Sequence, residues 1–328
     1  MAETPRHLVT ADEAGMRLDR WFKAHFPGLS FGQLQKLLRS GQVRVDGGRV
    51  KSGTRLATGQ AVRVPPTVDG SAPTSNKPSI NQSDADYLRS LFLYDDKDLF
   101  VLNKPYGLAV QGGSGLTRHV DGMLESLRDK KGQKPRLVHR LDRETSGVLV
   151  VARTRKAASD LAAAFRTRST RKFYWALVKG VPKPQQGRIS TYLARDEEDG
   201  ERMAVVRHGD NDASHALTHY SVIEHVGQKL AWVSLKPVTG RTHQLRAHAA
   251  HIGNPILGDS KYFDIENWEL PGGMQNRLHL VARRIVMPHP RGGTLDVSAP
   301  LPQHMLQSWN LLGLDATAYD PALDDEED

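Results

Sequence analysis

Residues 135–153 read P-R-L-V-H-R-L-D-R-E-T-S-G-V-L-V-V-A-R. The second half, 148–152, is an apolar run rich in β-branched residues, the pattern of a buried strand. The first half has no such pattern. It places Asp142 among Arg140, Arg143, Glu144, Thr145 and Ser146, and it closes on Gly147, a residue suited to a tight entry into the strand. A carboxylate at a strand mouth with guanidiniums on either side is favoured in its charged form, which suits a nucleophile. On spacing alone the same residues also fit a surface turn with ordinary ion pairs.

The 328 residues are enough for two domains and a sizeable core. Lys and Arg number 45 against 37 Asp and Glu, a net charge of +8 that favours a polyanionic partner. Residues 14–64 hold ten Lys and Arg against two Asp, whereas 315–328 hold seven acids and no base. A nucleic-acid grip at one end and a disordered acidic tail at the other are expected. The absence of cysteine excludes disulfides and thiolate metal sites and fits a reducing compartment. M-A-E-T-P-R-H lacks the apolar core of a signal peptide, and no run approaches the roughly 20 apolar residues needed to span a bilayer. A soluble, cytoplasmic monomer is expected.

Working outward from the central stretch, residues 14–66 form the first unit. A helical stripe of Leu18, Trp21, Phe22 and Phe26 ends at Pro27-Gly28, and Ser30 with Gln33 makes a capping box for a second helix that buries Leu34, Leu37 and Leu38. Residues 43–45 then alternate as a strand, Asp46-Gly47 is a two-residue hairpin signal, and 61–64 reads as a further strand. Helix, helix, basic hairpin resembles the S-four-like RNA-binding domain, which implies an RNA face at or near Arg17, Lys36, Arg39, Arg44 and Lys51. A short basic module of this kind also fits a solubilising appendage or a grip on another acidic macromolecule. Residues 67–86 are polar and rich in Pro, Ser and Asn, as a linker would be.

The larger domain, 87–312, opens with strands at 91–94 and 99–102 around an acidic turn, then N-K-P-Y-G-L-A-V. Gly112-Gly113-x-Gly115 lacks the Gly-Lys-Ser/Thr of a phosphate loop and reads as a turn. Residues 156–166 form a helix capped by Thr154, and 171–180 form a strand that sets Tyr174 and Trp175 on opposite faces. Residues 181–213 read as irregular, 216–226 and 230–238 as strands, and the stretch ending at His251 as a helix with Leu245, Ala249 and Ile252 on its apolar face. His243, His248 and His251 lack the glutamate and i, i+4 spacing of a zinc-protease helix, so no metal is expected there. Residues 277–280 and 287–290 read as edge-strand and turn. A short apolar stretch, 305–314, fades into the acidic tail, 313–328.

H-R-L-D-R-E-T-S-G-V-L-V-V-A is similar to the signature of the bacterial RluA-type pseudouridine synthases. N-K-P-x-G, K-x-Y-x-A-x-V-x-G, G-R-T-H-Q-L-R-x-H and G-N-P-I-L-G-D resemble the accompanying motifs in the expected order, and the likeness covers about residues 14–300. It implies an α+β fold, with a mixed, mainly antiparallel sheet and flanking helices behind the small RNA-binding module. It also implies isomerisation of specific uridines in 23S ribosomal RNA without metal or organic cofactor. In this reading Asp142 attacks the ribose or removes a ribose proton, and Arg246 clasps Asp142 by a two-pronged pair. Tyr174 stacks near the uracil, Leu245 forms a dry wall, and Arg140 fills the space that the extruded nucleotide leaves. Two alternatives remain at this stage: hydrolysis of the glycosidic bond by Asp142 and Glu144 as an acid and base pair, and a non-catalytic ribosome-assembly factor.

Overall fold

The computed structural model describes residues 6–10, 13–26, 28–66, 68, 82–113, 116, 118–130, 132–196, 199–200, 202–263 and 270–317. The chain divides into two units, Met1–Ser79 and Ile80–Asp328.

In the first unit a three-stranded antiparallel sheet consists of β1 (Arg6–Leu8), β2 (Arg44–Val45) and β3 (Ala61–Arg63), with β3 in the middle. Two helices, α1 (Leu18–His25) and α2 (Phe31–Arg39), bury Leu18, Trp21, Phe22, Leu34 and Leu38 in one core with Val45 and Val62. The expected capping box is present: Ser30 Oγ accepts from Gln33 N–H, and the Gln33 side chain accepts from Ser30 N–H. Asp46 and Gly47 both have positive φ, and Val45 and Gly48 exchange backbone hydrogen bonds across them. This is the primed turn that Asp-Gly favours. Its continuation differs from a simple hairpin, because the strand that pairs with β2 begins only at Ala61. The unit also reaches back beyond residue 14 through β1, a short, mostly exposed strand with no apolar alternation to announce it.

Residues 69–81 of the expected linker lie outside the described residues. Its last part is a helix, α3 (Gln82–Ser90), which buries Ala85 and Leu88. The second unit is built on an eleven-stranded sheet. Its strands are β4 (Phe92–Asp95), β5 (Leu99–Lys104), β6 (Arg136–Leu137), β7 (Ser146–Ala152), β8 (Arg171–Lys179), β9 (Gln186–Arg195), β10 (Met203–Val206), β11 (Ser214–Val226), β12 (Leu230–Pro237), β13 (Leu280–Pro288) and β14 (Thr294–Ser298). The helices are α4 (Val120–Met123), α5 (Arg155–Ala164), α6 (Gln244–His251) and α7 (Gln303–Leu312). The strand order is β10-β9-β11-β12-β8-β13-β7-β5-β4, with β14 on β13 and β6 on β7. The named strand pairs are antiparallel except β13 with β7. The fold is therefore α+β with a mixed, mainly antiparallel sheet.

All seven residues of β7 are buried because both faces of the strand are covered. Val148, Val150 and Ala152 pack with Ala157 and Leu161 of α5 on one face, while Leu149 and Val151 pack with Leu88 of α3 and Val120 and Met123 of α4 on the other. The other half of the sheet repeats the scheme. Ala176 and Val178 of β8 join Leu245 and Ala249 of α6, and Trp175 and Leu177 join Met305 and Trp309 of α7.

Three expectations are corrected here. Residues 181–213 contain β9, whose buried Ile189 and Leu193 are separated by Ser190, Thr191 and Tyr192, and the four-residue β10; pairing of β9 to β11 and of β10 to β9 provides the order. β13 is no edge strand but lies between β8 and β7, and Pro288 is its last residue, where a missing N–H ends the ladder. The apolar stretch near the C-terminus is α7, ended by Gly313 in the left-handed region. Residues 318–328 of the acidic tail lie outside the described residues.

Gly147 has φ +105°, and a β-carbon there would lie 2.2 Å from the carbonyl oxygen of Ala282 in the neighbouring strand. A backbone oxygen at the centre of a sheet has little freedom to move. Gly147→Ala is therefore expected to lose about 3–5 kcal/mol of stability through overpacking and backbone strain together. A denaturation midpoint equal to that of the unaltered protein would show that β7 and β13 do not approach as closely as described.

Candidate active site

Strand register places the site. Lys104 on β5 pairs with Gly147 on β7, Gly147 with Ala282 on β13, Ala282 with Tyr174 on β8, and Tyr174 with Leu235 on β12. Adjacent residues in register point to one face of a sheet, so Lys104 and Tyr174 flank two residues of minimal bulk. Asp142 acts electrostatically on both flanking side chains.

Lys104 is fully buried, and its Nζ donates to the carbonyls of Pro105, Leu108 and Arg143 at 2.9, 2.8 and 3.1 Å. Burial pushes this ammonium down to about 7, against the opposing pull of Asp142. Three carbonyl acceptors match the three N–H donors of the charged form and are one too many for a neutral amine. The ammonium thus ties the 105–108 loop to the segment that carries Asp142. A second tie runs between Gly107 and Arg143, which exchange hydrogen bonds of 2.9 and 3.1 Å. Upstream, the His139 ring accepts from Val150 N–H at 2.8 Å and stacks on Phe165; burial, aided by Lys172, holds its pKa down to about 3. Leu141 is buried in the core below. Asp142 is therefore anchored on both sides, while its own side chain keeps 22% of its surface exposed.

Tyr174 remains a phenol, because burial first and then the Asp142 charge push its hydroxyl up. Arg140, Asp142, Tyr174, Leu245 and Arg246 all line one pocket of about 130 Å³, and Leu280 adds to its apolar wall. A wider cleft of about 610 Å³ shares Arg140, Asp142 and Arg246 and extends past Tyr106, Arg143, Glu144 and Lys261. The five residues expected at the site are thus brought together.

The expected clasp of Asp142 by Arg246 is corrected. Arg246 donates from Nε and Nη2 to the two oxygens of Asp259, at 2.8 and 2.6 Å, and lies 3.3 Å from Glu144. Asp259 is fully buried and also accepts from the backbone N–H groups of Lys261 and Tyr262. Its position follows from Gly258, at positive φ, where a β-carbon would strike the Arg277 carbonyl at 2.0 Å. Arg246 makes no ion pair with Asp142 and acts on it through its field; burial works against the arginine's charge, but the Asp259 hydrogen bond and the charges of Asp259, Asp142 and Glu144 outweigh it and raise the arginine's pKa. The nearest cationic-type group to Asp142 is the His243 ring, with Nε2 3.9 Å from Oδ2. Lys104, His243 and Asp259 went without a role in the sequence reading. The available signal was an ionisable residue inside an otherwise apolar or glycine-rich motif.

The three histidines around α6 do not converge. His248 is buried between the hydroxyls of Thr191 and Thr218, its pKa held near 4 first by burial, and His251 is exposed. Asp96, Asp98 and His289 could bring ligand atoms together, but His289 already bonds Asp96 at 2.8 Å and Asp98 pairs with Arg291. In the first unit Lys36, Arg39 and Lys51 are exposed, and Gln35 joins α2 to the Lys51 turn through Ser52. Arg17 pairs with Asp19 at 2.7 Å, and Arg44 braces the carbonyls of Gly41 and Gly47. These two arginines thus contribute to structure as well as to surface charge.

The chain matches the RNA pseudouridylate synthase family over residues 98–251 and the S4 domain over residues 16–62. It is 38% identical to the ribosomal large subunit pseudouridine synthase C of Yersinia pestis, across 89% of this chain and 91% of that protein. It is 36% identical to the mitochondrial RNA pseudouridine synthase 4 of Arabidopsis thaliana, across 89% and 78%. Among solved structures, the human RNA pseudouridylate synthase domain containing 4 aligns with a TM-score of 0.61 at 32% identity, covering 71% of this chain and 98% of that one. The family match spans Asp142, Tyr174 and Arg246. With an S4 domain ahead of this sheet and pocket, the chain belongs to the RluA-type RNA pseudouridylate synthases, isomerases that turn uridine in RNA into pseudouridine.

Proposed function

We propose that the RNA this synthase modifies is large-subunit (23S) ribosomal RNA and that Asp142 is the residue that opens the glycosidic bond. The carrying observation is the position of Asp142. It is a tethered, partly exposed carboxylate on the wall of a small pocket whose lining also includes a protonated phenol and three leucines.

In the reaction the bond from uracil nitrogen 1 to ribose carbon 1′ breaks and a bond from carbon 5 to carbon 1′ forms. Carbon 5 gives up a proton and nitrogen 1 gains one, so mass is conserved. Asp142 either attacks carbon 1′ or removes the carbon 2′ proton; both routes free the uracil to turn within the pocket. Extruding the nucleotide costs a few kcal/mol of stacking and pairing, and the exposed Arg140 beside the pocket can fill the vacancy. Tyr174 offers the base a stacking face, and Leu245 excludes water. Arg246, held by Asp259, supplies positive field rather than a direct clasp. The hydrolytic alternative loses ground because Glu144, its second carboxylate, lies against Arg246 at 3.3 Å. The 23S target rests on the names of relatives such as the Yersinia pestis protein and on the S4 domain. We further propose that the protein acts as a monomer in the cytoplasm. Large apolar side chains exposed among the described residues are few, and no helix among them is long and apolar enough to cross a membrane.

Tritium at uridine carbon 5 reports turnover, because that position must release its hydrogen. Asp142→Asn is expected to cut tritium release at least about a thousandfold, with RNA affinity within about threefold; residual turnover near the unaltered rate would remove Asp142 from the chemistry. Replacing Lys36, Arg39 and Lys51 together by alanine is expected to flatten the plot of log affinity against log salt by about 0.7–0.9 for each lost phosphate contact. An unchanged slope would place the RNA face elsewhere. Asp259→Asn leaves a buried guanidinium without its main partner, so a loss of about 3–5 kcal/mol in denaturant unfolding is expected, and undiminished stability would contradict the pairing described.

A further inference from the structure

His243, the residue before α6, has φ +50° and ψ +18°. This left-handed conformation is uncommon outside glycine and costs a residue with a β-carbon about 1–2 kcal/mol. The side chain makes no capping bond to the helix in return. What the backbone achieves is aim, since the ring presents one nitrogen to Tyr262 and the other to Asp142.

The hydrogen bonds favour a proton on one nitrogen of the ring. Met203 N–H donates to Tyr262 Oη at 2.7 Å, and the Tyr262 hydroxyl, with its own hydrogen still to place, lies 3.2 Å from His243 Nδ1. Burial is the main influence on the ring and keeps it neutral; Asp142 and Asp259 oppose it, while Arg246 and Lys261 reinforce it. A neutral ring that accepts at Nδ1 carries its hydrogen on Nε2, the atom that faces Asp142 Oδ2 at 3.9 Å. Tyr262 is itself held in place, with the guanidiniums of Arg202 and Arg246 over its ring at 5.1 and 5.4 Å from the centroid. Met203 belongs to β10, so the chain of contacts runs from the edge of the sheet to the pocket.

We propose that His243 is a positioning residue: as the site closes on a nucleotide, its Nε2–H donates to Oδ2 of Asp142 and turns Oδ1 towards the ribose. This rests on the reading of Asp142 given above. A shortening of about 1 Å brings the pair into hydrogen-bond range, a change of the kind that separates free from substrate-bound sites. Arg246 directs Nε and Nη2 at Asp259 and makes no ion pair with Asp142. A neutral donor also orients the carboxylate without placing a second full charge against it.

The test uses the full chain and an unmodified 23S ribosomal RNA transcript tritiated at uridine carbon 5. His243→Phe keeps a ring but removes the donor, and His243→Gln returns an amide N–H to the same reach. The phenylalanine variant is expected to lose about a hundredfold in kcat with KM within about twofold, and the glutamine variant to recover at least about tenfold of that loss. Tyr262→Phe should fall between them. If the phenylalanine variant keeps the full kcat, or if phenylalanine and glutamine fall alike, the proposal is overturned. Should the phenylalanine variant not fold, nitrogen-15 spectra of the unaltered protein decide: a His243 hydrogen on Nε2 supports the assignment and one on Nδ1 overturns it. Loss of activity in Asp142→Asn alongside a fully active His243→Phe would sink this inference alone. An active Asp142→Asn would sink the reading beneath it.

Discussion

Two backbones meet at Gly147 and Ala282 with no room for a side chain on the glycine, and the site depends on that closeness. β7 and β13 run parallel within a sheet that is otherwise antiparallel, and they join the half covered by α3, α4 and α5 to the half covered by α6 and α7. Without this seam Lys104 and Tyr174 would belong to separate cores. With it they lie in one row, and the segment entering β7 delivers Asp142 beside both. The glycine at the strand mouth is thus as much a part of the site as the groups that would touch substrate.

The charges obey a common rule. The two most deeply buried cations are committed to structural partners: Lys104 to three carbonyls, and Arg246 to the two oxygens of Asp259. A buried ion pair is weak evidence for stability, since desolvating both charges offsets much of their attraction. It is strong evidence for geometry, because a misplaced partner leaves an uncompensated charge in a poorly solvated place. Fixed in this way, the two cations act on Asp142 through space and leave its lone pairs free. A bidentate clasp would occupy the same oxygens that chemistry on ribose requires.

Much of this was legible in the sequence, and the part that was not has a physical cause. The apolar run 148–152, the cap at Ser30 and the alternation about Tyr174 are local signals, and each became the element it announced. Asp142, Tyr174 and Arg246 were recoverable as a set because each stands in a long motif, and all three line one pocket. Failures came where order is borrowed from a neighbour. β9 mixes its apolar residues with polar ones and β10 is only four residues long; they are strands through pairing with β11 and with each other. Residues 277–280 read as edge strand and 287–290 as turn, yet β13 runs from Leu280 to Pro288 between β8 and β7, a place that tolerates proline at a strand's end. The partner of Arg246 was misread for a related reason. Two carboxylates lay within plausible reach, and only the positive φ of Gly258 and the depth of Asp259 select between them.

Extrusion of a nucleotide must draw its free energy from contacts made elsewhere on the RNA, since the pocket itself is small. Phosphate contacts suit that purpose because they hold any sequence, and cations displayed on a rigid surface make them with little loss of side-chain order. The S4 domain has this character: Lys36 and Arg39 extend from a capped helix, and Lys51 from a turn tied to that helix through Gln35 and Ser52. The catalytic unit meanwhile commits its most buried cations to structure. A pocket crowded with free lysines would bind phosphate in competition with the uracil ring. If Lys36, Arg39 and Lys51 hold phosphate as proposed, a sequence-blind grip on the first unit would complement a narrow, shape-selective pocket on the second.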